Sequence, residues 1–236
     1  MPFEILDTLS LPGDPLKPND DAFGHAGNAA VVIDGATSLG EPLMPGDSDA
    51  AWLAHFGARR LMAHVRDGDA PLDALRDTLA DAKKSFEALR KREPAEQWEI
   101  PFASMAFVQD APGGFDFLWF GDCAALIARP DAAVEVLGES FAAKAREAEH
   151  VRKARQGKRP SRPRPAPAGP NTCRRCARAR SRVNSGKYWA FSPDPRAADF
   201  VGSFARRGRR AAPICCSPAT ASSRSPPITA ATPRPR

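Results

Sequence analysis

The feature that most constrains this fold is the apolar run Ala29 to Ile33, centred on Val31-Val32-Ile33 and closed by Asp34-Gly35. Consecutive β-branched residues favour a strand buried on both faces over a helix. Asp34 then lies at the strand's C-terminal end, where a carboxylate can meet other segments at the rim of a sheet. Upstream, Asn19-Asp20-Asp21 supplies two more carboxylates. Downstream, Gly121-Asp122 separates two strand-like runs, Phe115 to Phe120 and Ala124 to Ile127. Carboxylates and backbone carbonyls at strand ends are the hard oxygen ligands that Mg²⁺ or Mn²⁺ requires.

The surrounding pattern predicts a strand, strand, two helices, strands order. Residues 3 to 11 alternate loosely and suit an edge strand, and Pro12-Gly13-Asp14-Pro15 makes a turn. Asp47 or Ser48 caps a helix with Ala51, Ala54, Ala58, Leu61 and Val65 on one face, stopped by Gly68. Leu72, Leu75, Leu79, Ala82, Phe86 and Leu89 continue the spacing in a second helix that ends at Pro94. Ala103 to Val108, Pro112-Gly113-Gly114 and Phe115 to Phe120 form a hairpin. Residues 139 to 156 suit a charged, exposed helix.

Charge divides the chain in two. Residues 1 to 157 carry 16 Lys and Arg against 26 Asp and Glu, whereas residues 158 to 236 carry 18 bases against only Asp194 and Asp199. Cys123 stands in the acidic part; Cys173, Cys176, Cys215 and Cys216 stand in the basic part, with no disulfide framework. Met1 to Leu11 holds no basic leader before an apolar run, and no apolar run reaches the length of about 18 residues that a membrane span needs. The expectation is a soluble, cytoplasmic chain with no membrane partner.

Asn19-Asp20-Asp21, Asp34-Gly35 and Gly121-Asp122-Cys123, in this order and strand context, resemble the metal-dependent protein phosphatases of the protein phosphatase 2C type over about residues 1 to 157. The resemblance implies an α+β fold, a four-layer α-β-β-α sandwich, here incomplete and followed by a disordered basic C-terminal region. It implies Asp20, Asp21, Asp34, Gly35 and Asp122 as metal ligands for two Mn²⁺ or Mg²⁺ ions, with Asp122 at a further, weaker site. Asp34 is the bridging, catalytic carboxylate that positions the nucleophilic water, and Gly35 offers its carbonyl. The activity implied is hydrolysis of serine and threonine phosphate monoesters in a phosphorylated protein substrate.

The chain departs from the family pattern in two places. Ala36-Thr37-Ser38 replaces x-Gly-Gly after Asp34-Gly35, and the family's phosphate-binding Arg falls on Leu16, leaving Lys17 beside it as the substrate-phosphate contact. Lys is a point charge and not a bidentate fork. His25, His55, His64 and His150 have no metal-ligand spacing; His55 and His64 fall on the sides of the first helix, and His25 on a solvated loop. Cys123 is read as a small buried residue.

The division expected along the chain is a phosphatase-like domain over 1–157, a disordered Pro/Arg-rich segment over 158–182, an ordinary island over 183–204 with Tyr188, Trp189, Phe191, Phe200 and Val201 for a core, and a disordered basic tail over 205–236. Taken literally, the tail binds nucleic acid only nonspecifically, through charge. Zinc at Cys173-x-x-Cys176 with Cys215-Cys216 is disfavoured, since the second pair is adjacent. The tail also has the Arg, Pro, Ala and Ser excess of a GC-rich gene read out of frame. Shifting GC-rich codons from Ala212 onward yields Ala-Asp-Leu-Leu-Leu-Ala-Gly-Asp-Gly, an apolar strand ending in the family's next Asp-Gly motif, which the chain as translated lacks. Three readings stay open: a phosphatase weak or inactive as translated, a phosphatase-like pseudoenzyme or binding domain with a polyanion-binding tail, and an acidic metal-binding domain without hydrolytic role.

Overall fold

The computed structural model describes residues 4–129, 132–138, 174–186, 188–207 and 214–217. The strand predicted around Val31-Val32-Ile33 is β2 (Ala29–Gly35), the second half of a hairpin begun by β1 (Asp21–Ala26). β3 (Ala103–Ala111) and β4 (Gly114–Phe120) form the second hairpin, and β7 (Gly202–Arg207) adds to its far side. Together they make an antiparallel sheet in the order β1-β2-β3-β4-β7. A smaller sheet has the order β6-β5-β8, from β5 (Ala124–Arg129), β6 (Ala132–Leu137) and β8 (Ile214–Ser217).

Alternation along the central strands sorts side chains between two cores. Val31, Ile33, Met105 and Phe107 pack with Leu53, Leu61, Leu75 and Leu79 of helices α1 (Asp49–Asp67) and α2 (Pro71–Leu89). Ala106, Val108, Phe115 and Phe117 turn the other way, against Cys123, Ala125, Ile127 and Leu137 of the second sheet. Truncating a fully buried leucine such as Leu61 to alanine would cost about 2–5 kcal/mol. Ser48 caps α1 by accepting from the Ala51 N–H at 3.1 Å, and Gly68, at φ 98°, ends it as the sequence predicts.

Several expectations are corrected. Residues 4 to 11 form no strand: Leu6 and Leu9 are 80% and 81% exposed, and among the described strands β1 pairs only β2, so the loose alternation has no ladder to join. α2 stops at Leu89 instead of reaching Pro94, because Arg90 turns to extended geometry and the Lys91 N–H donates to the Leu43 carbonyl at 2.7 Å. Within the stretches expected to lack structure, a short helix α3 (Arg174–Arg180) and strand β8 are present. Arg180 anchors α3 by donating to the Thr37 carbonyl at 2.7 Å and lying 5.3 Å from the Phe102 ring centroid.

Of the island residues, Phe191 is fully buried in the helix-side core and bridges to Ala103, whereas Tyr188 and Phe200 are about half exposed. The predicted charged helix over 139–156, an outer helical layer beyond the second sheet, and the cysteine pair Cys173 and Cys176 with its neighbours up to Arg175 in side-chain detail lie outside the described residues. No helix among the described residues is long and apolar enough to cross a membrane.

Candidate metal centre

Register brings the predicted carboxylates to one end of the large sheet. Asp21 is the partner of Asp34 across β1 and β2, and Asp34 is the partner of Ser104 across β2 and β3. Because Ile33 and Gly35 face α1, Asp34 and its partners face the second sheet. Asp21 and Asp34 are direct cross-strand neighbours, and each acts on the charge of the other. Burial pushes the Asp21 carboxyl above the usual carboxylate range; the Asp34 hydrogen bond opposes that rise, and the charge of Asp20 adds to it.

Asp20 is held differently. Ser48 Oγ donates to one of its oxygens at 2.5 Å and Thr37 Oγ1 to the other at 2.9 Å, while its backbone carbonyl accepts from the Gly35 N–H at 3.1 Å. Gly35 is required here for close approach: a Cβ would lie 2.5 Å from the Asp20 carbonyl oxygen and 2.9 Å from that of Ala50. Asn19 Oδ1 accepts from the Asp21 N–H at 3.1 Å, and its carbonyl lies 3.2 Å from His55 Nε2. One network therefore joins both ends of the hairpin to the cap of α1.

Asp122 is fixed by Ser104, whose hydroxyl donates to Oδ1 at 2.8 Å. Gly121 adopts φ 63°, and a Cβ there would collide with the Ser104 hydroxyl, so the Gly-Asp turn admits no larger residue. Cys123 is buried as expected; burial first, and then the charges of Asp34 and Asp122, push its thiol far up, away from reactivity. Lys17 is directed to Asp14, 4.0 Å away, and Leu16 is 93% exposed. His25 is exposed on β1.

The structure thus joins Asp21 to Asp34 directly, with Asp20 and Asp122 each held by hydroxyls. Among the described residues, no third of these carboxylates comes close enough to complete a three-ligand cluster with that pair. The donor chemistry fits a hard cation at Asp21 and Asp34 with the Gly35 carbonyl nearby. Thr37, Ser48 and Ser104 were not legible as part of the site: Thr37 stood only as a departure from glycine, Ser48 as a cap, and Ser104 as a strand residue. The one sequence signal is that each follows or faces a carboxylate in register. His64, read as a histidine on a helix side, has carboxylates at both ring nitrogens.

A protein phosphatase 2C family profile matches residues 16–155. The chain belongs to the protein phosphatase 2C family. The match ends where the charge of the chain reverses. Among solved structures, the chain is similar to a PPM Ser-Thr phosphatase, MsPP from Mycobacterium smegmatis in complex with cacodylate, at 16% identity and TM-score 0.49, covering 83% of this chain and 69% of that one. It is also similar to the catalytic domain of the serine/threonine phosphatase PstP in complex with two manganese ions, at 14% identity and TM-score 0.42, covering 63% of this chain and 61% of that one. The Mycobacterium tuberculosis phosphatase PstP/Ppp gives 14% identity and TM-score 0.41, covering 60% of this chain and 57% of that one. The chain therefore spans about three fifths of the length of the manganese-bound structure. No curated protein matches the chain.

Proposed function

We propose that this chain is a metal-dependent serine/threonine phosphoprotein phosphatase, weak as translated, that uses Mn²⁺ or Mg²⁺ to hydrolyse phosphate monoesters. The observation that carries the reading is the register partnership of Asp21 and Asp34 on the face toward the second sheet, in a chain of this family. Asp21 and Asp34 would hold the cation, with Asp34 as the shared ligand and the Gly35 carbonyl beside it. A bound divalent cation supplies Lewis acidity against phosphoryl oxygens and a nucleophilic water at neutral pH. Ser104 orients Asp122 toward the same end of the sheet, and Thr37 with Ser48 orients Asp20. Lys17 is the available cation for a substrate phosphate, and it reaches one only by leaving Asp14.

Weak activity follows from the chain itself. Both Asp20 oxygens are engaged by hydroxyls, Leu16 stands where a phosphate-binding Arg would be, and the later Asp-Gly motif is absent from the sequence as translated. Hydrolysis of p-nitrophenyl phosphate by the full chain is the test. We expect slow, Mn²⁺-dependent turnover that Asp34→Asn abolishes. Turnover unaffected by Asp34→Asn, or none with saturating Mn²⁺, would replace this reading with a phosphatase-like binding domain, which the tied Asp20 and the missing Arg favour.

A further inference from the structure

A histidine and three aspartates meet at the elbow between α1 and α2, apart from the carboxylates at the end of the large sheet. His64 occupies the last turn of α1, Asp69 follows Gly68 in the connection, and Asp77 and Asp81 stand one turn apart on α2. His64 Nε2 lies 3.1 Å from Asp81 Oδ2, and His64 Nδ1 lies 3.3 Å from Asp69 Oδ2. The ring is largely enclosed, with its side chain 17% exposed. A neutral imidazole carries only one N–H.

Asp81 is placed to hold the Nε2 side of the ring. Its carboxylate accepts from Arg60 Nε at 2.8 Å and from a second Arg60 nitrogen, so its charge is already matched, and it takes the Nε2–H as a further donor. With a proton on Nε2 alone, Nδ1 presents its lone pair to the Asp69 carboxylate 3.3 Å away, and a cation bound there would be shared by the two. Asp77 supplies the third ligand: a His64 ring nitrogen and one oxygen each of Asp69 and Asp77 lie within 4.8 Å of one another. A histidine whose outward nitrogen ligates while its other N–H is held by a carboxylate is the usual support of such a ligand.

We propose that His64, Asp69 and Asp77 bind one divalent cation of the zinc class, with Asp81 as the carboxylate that fixes the His64 tautomer. Imidazole with carboxylates suits Zn²⁺, Co²⁺ or Ni²⁺ in preference to Mg²⁺. The helix rise puts His64 about 24 Å from Ser48, and so from the Asp20 network. The site pins the connection to both helices, a structural clamp independent of phosphoester chemistry.

The test is calorimetric titration of the reduced, EDTA-stripped full chain with ZnCl₂, comparing wild type, His64→Gln and Asp77→Asn. Asp77 is exposed, so that variant keeps the experiment decisive if His64→Gln fails to fold. We expect wild type to bind one more equivalent than His64→Gln, and Asp77→Asn to weaken that equivalent by about tenfold or more. Ring ¹⁵N signals give a second readout: zinc moves the Nδ1 signal of His64 and leaves Nε2 protonated. Equal zinc uptake by the three proteins, or a His64 ring still doubly protonated at saturating zinc, overturns the site and leaves an imidazolium held between Asp69 and Asp81.

Discussion

Asp21 and Asp34 face each other across the first hairpin as direct register partners. Burial, with the charge of Asp20, raises the Asp21 carboxyl above its ordinary value, and a divalent cation at the pair would offset both effects. Asp34→Asn removes the charge that both a first and a second ion would share. Calorimetry should show most Mn²⁺ affinity lost in Asp34→Asn and retained in His25→Ala, since His25 lies exposed further along β1. Equal affinity in wild type and the Asp34 variant would remove the pair from the site.

Gly35→Ala tests whether the glycine after Asp34 serves packing. Its Cβ would press on the backbone carbonyls of Asp20 and Ala50, and backbone cannot swing aside as a flexible side chain can. The expected loss is about 1–3 kcal/mol of stability in denaturant unfolding, with a shift of Asp20 away from Ser48. A variant as stable as wild type would show that the hairpin and α1 can separate freely.

What the sequence disclosed was local. β-branched Val31-Val32-Ile33, the Ser48 cap with Gly68, and the Pro112-Gly113 turn each carry their own signal, and β2, α1 and the β3–β4 hairpin follow them. β7 carried none, because its partner β4 is distant in sequence, and β6, though adjacent to its partner β5, shows only a short and largely exposed apolar pattern. Val134 is exposed on β6, and β7 is held through Arg206 to Glu135 at 2.6 Å and Arg207 to Asp116 at 2.7 Å. Those arginines looked like an unpartnered basic stretch. In the site, carboxylate identity and order were legible, but which hydroxyl reaches which carboxylate depends on register, as with Thr37, Ser48 and Ser104. The elbow around His64 was hidden for the same reason, since its ligands come from two helices and their connection.

Glu99 offers a stability test that varies with pH. It accepts from both Arg92 terminal nitrogens, at 2.7 and 3.1 Å, and from the Ala95 N–H at 2.6 Å. The Arg92 hydrogen bonds hold its carboxyl below the ordinary value of 4.5 despite the opposing effect of burial. A depressed carboxylate contributes stability that is fully present above the unfolded value and is lost as pH falls through the folded one. Glu99→Gln should therefore cost about 1 kcal/mol near pH 7, with the difference from wild type shrinking as pH drops below about 4. A pH-independent difference would mean that shape, and not charge, holds the loop between α2 and β3.

The last prediction concerns the reading frame, on which catalytic strength depends. The family match stops at residue 155, and beyond it the chain is rich in Arg and Pro and nearly free of acids, apart from Asp194 and Asp199 in the island. The frame changes are expected between about Gly157 and Ser181 and again after Phe204, although Arg206 and Arg207 pair with Glu135 and Asp116. β8 then runs antiparallel to β5, with Ser217 opposite Ala124, close in sequence to Asp122. With GC-rich codons, the shifted frame of this stretch would read Leu-Leu-Leu-Ala-Gly-Asp-Gly, an apolar strand with a carboxylate just past its end. Sequencing the coding DNA tests that reading, and restoring the shifted frame both between about Gly157 and Ser181 and after Phe204 should raise Mn²⁺-dependent hydrolysis of p-nitrophenyl phosphate well above that of the chain as translated. Early stop codons in the shifted frames, or a repaired protein that folds and hydrolyses no faster, would mean that the basic segments are the evolved sequence, and a steep salt dependence of polyanion binding would then be their property to measure.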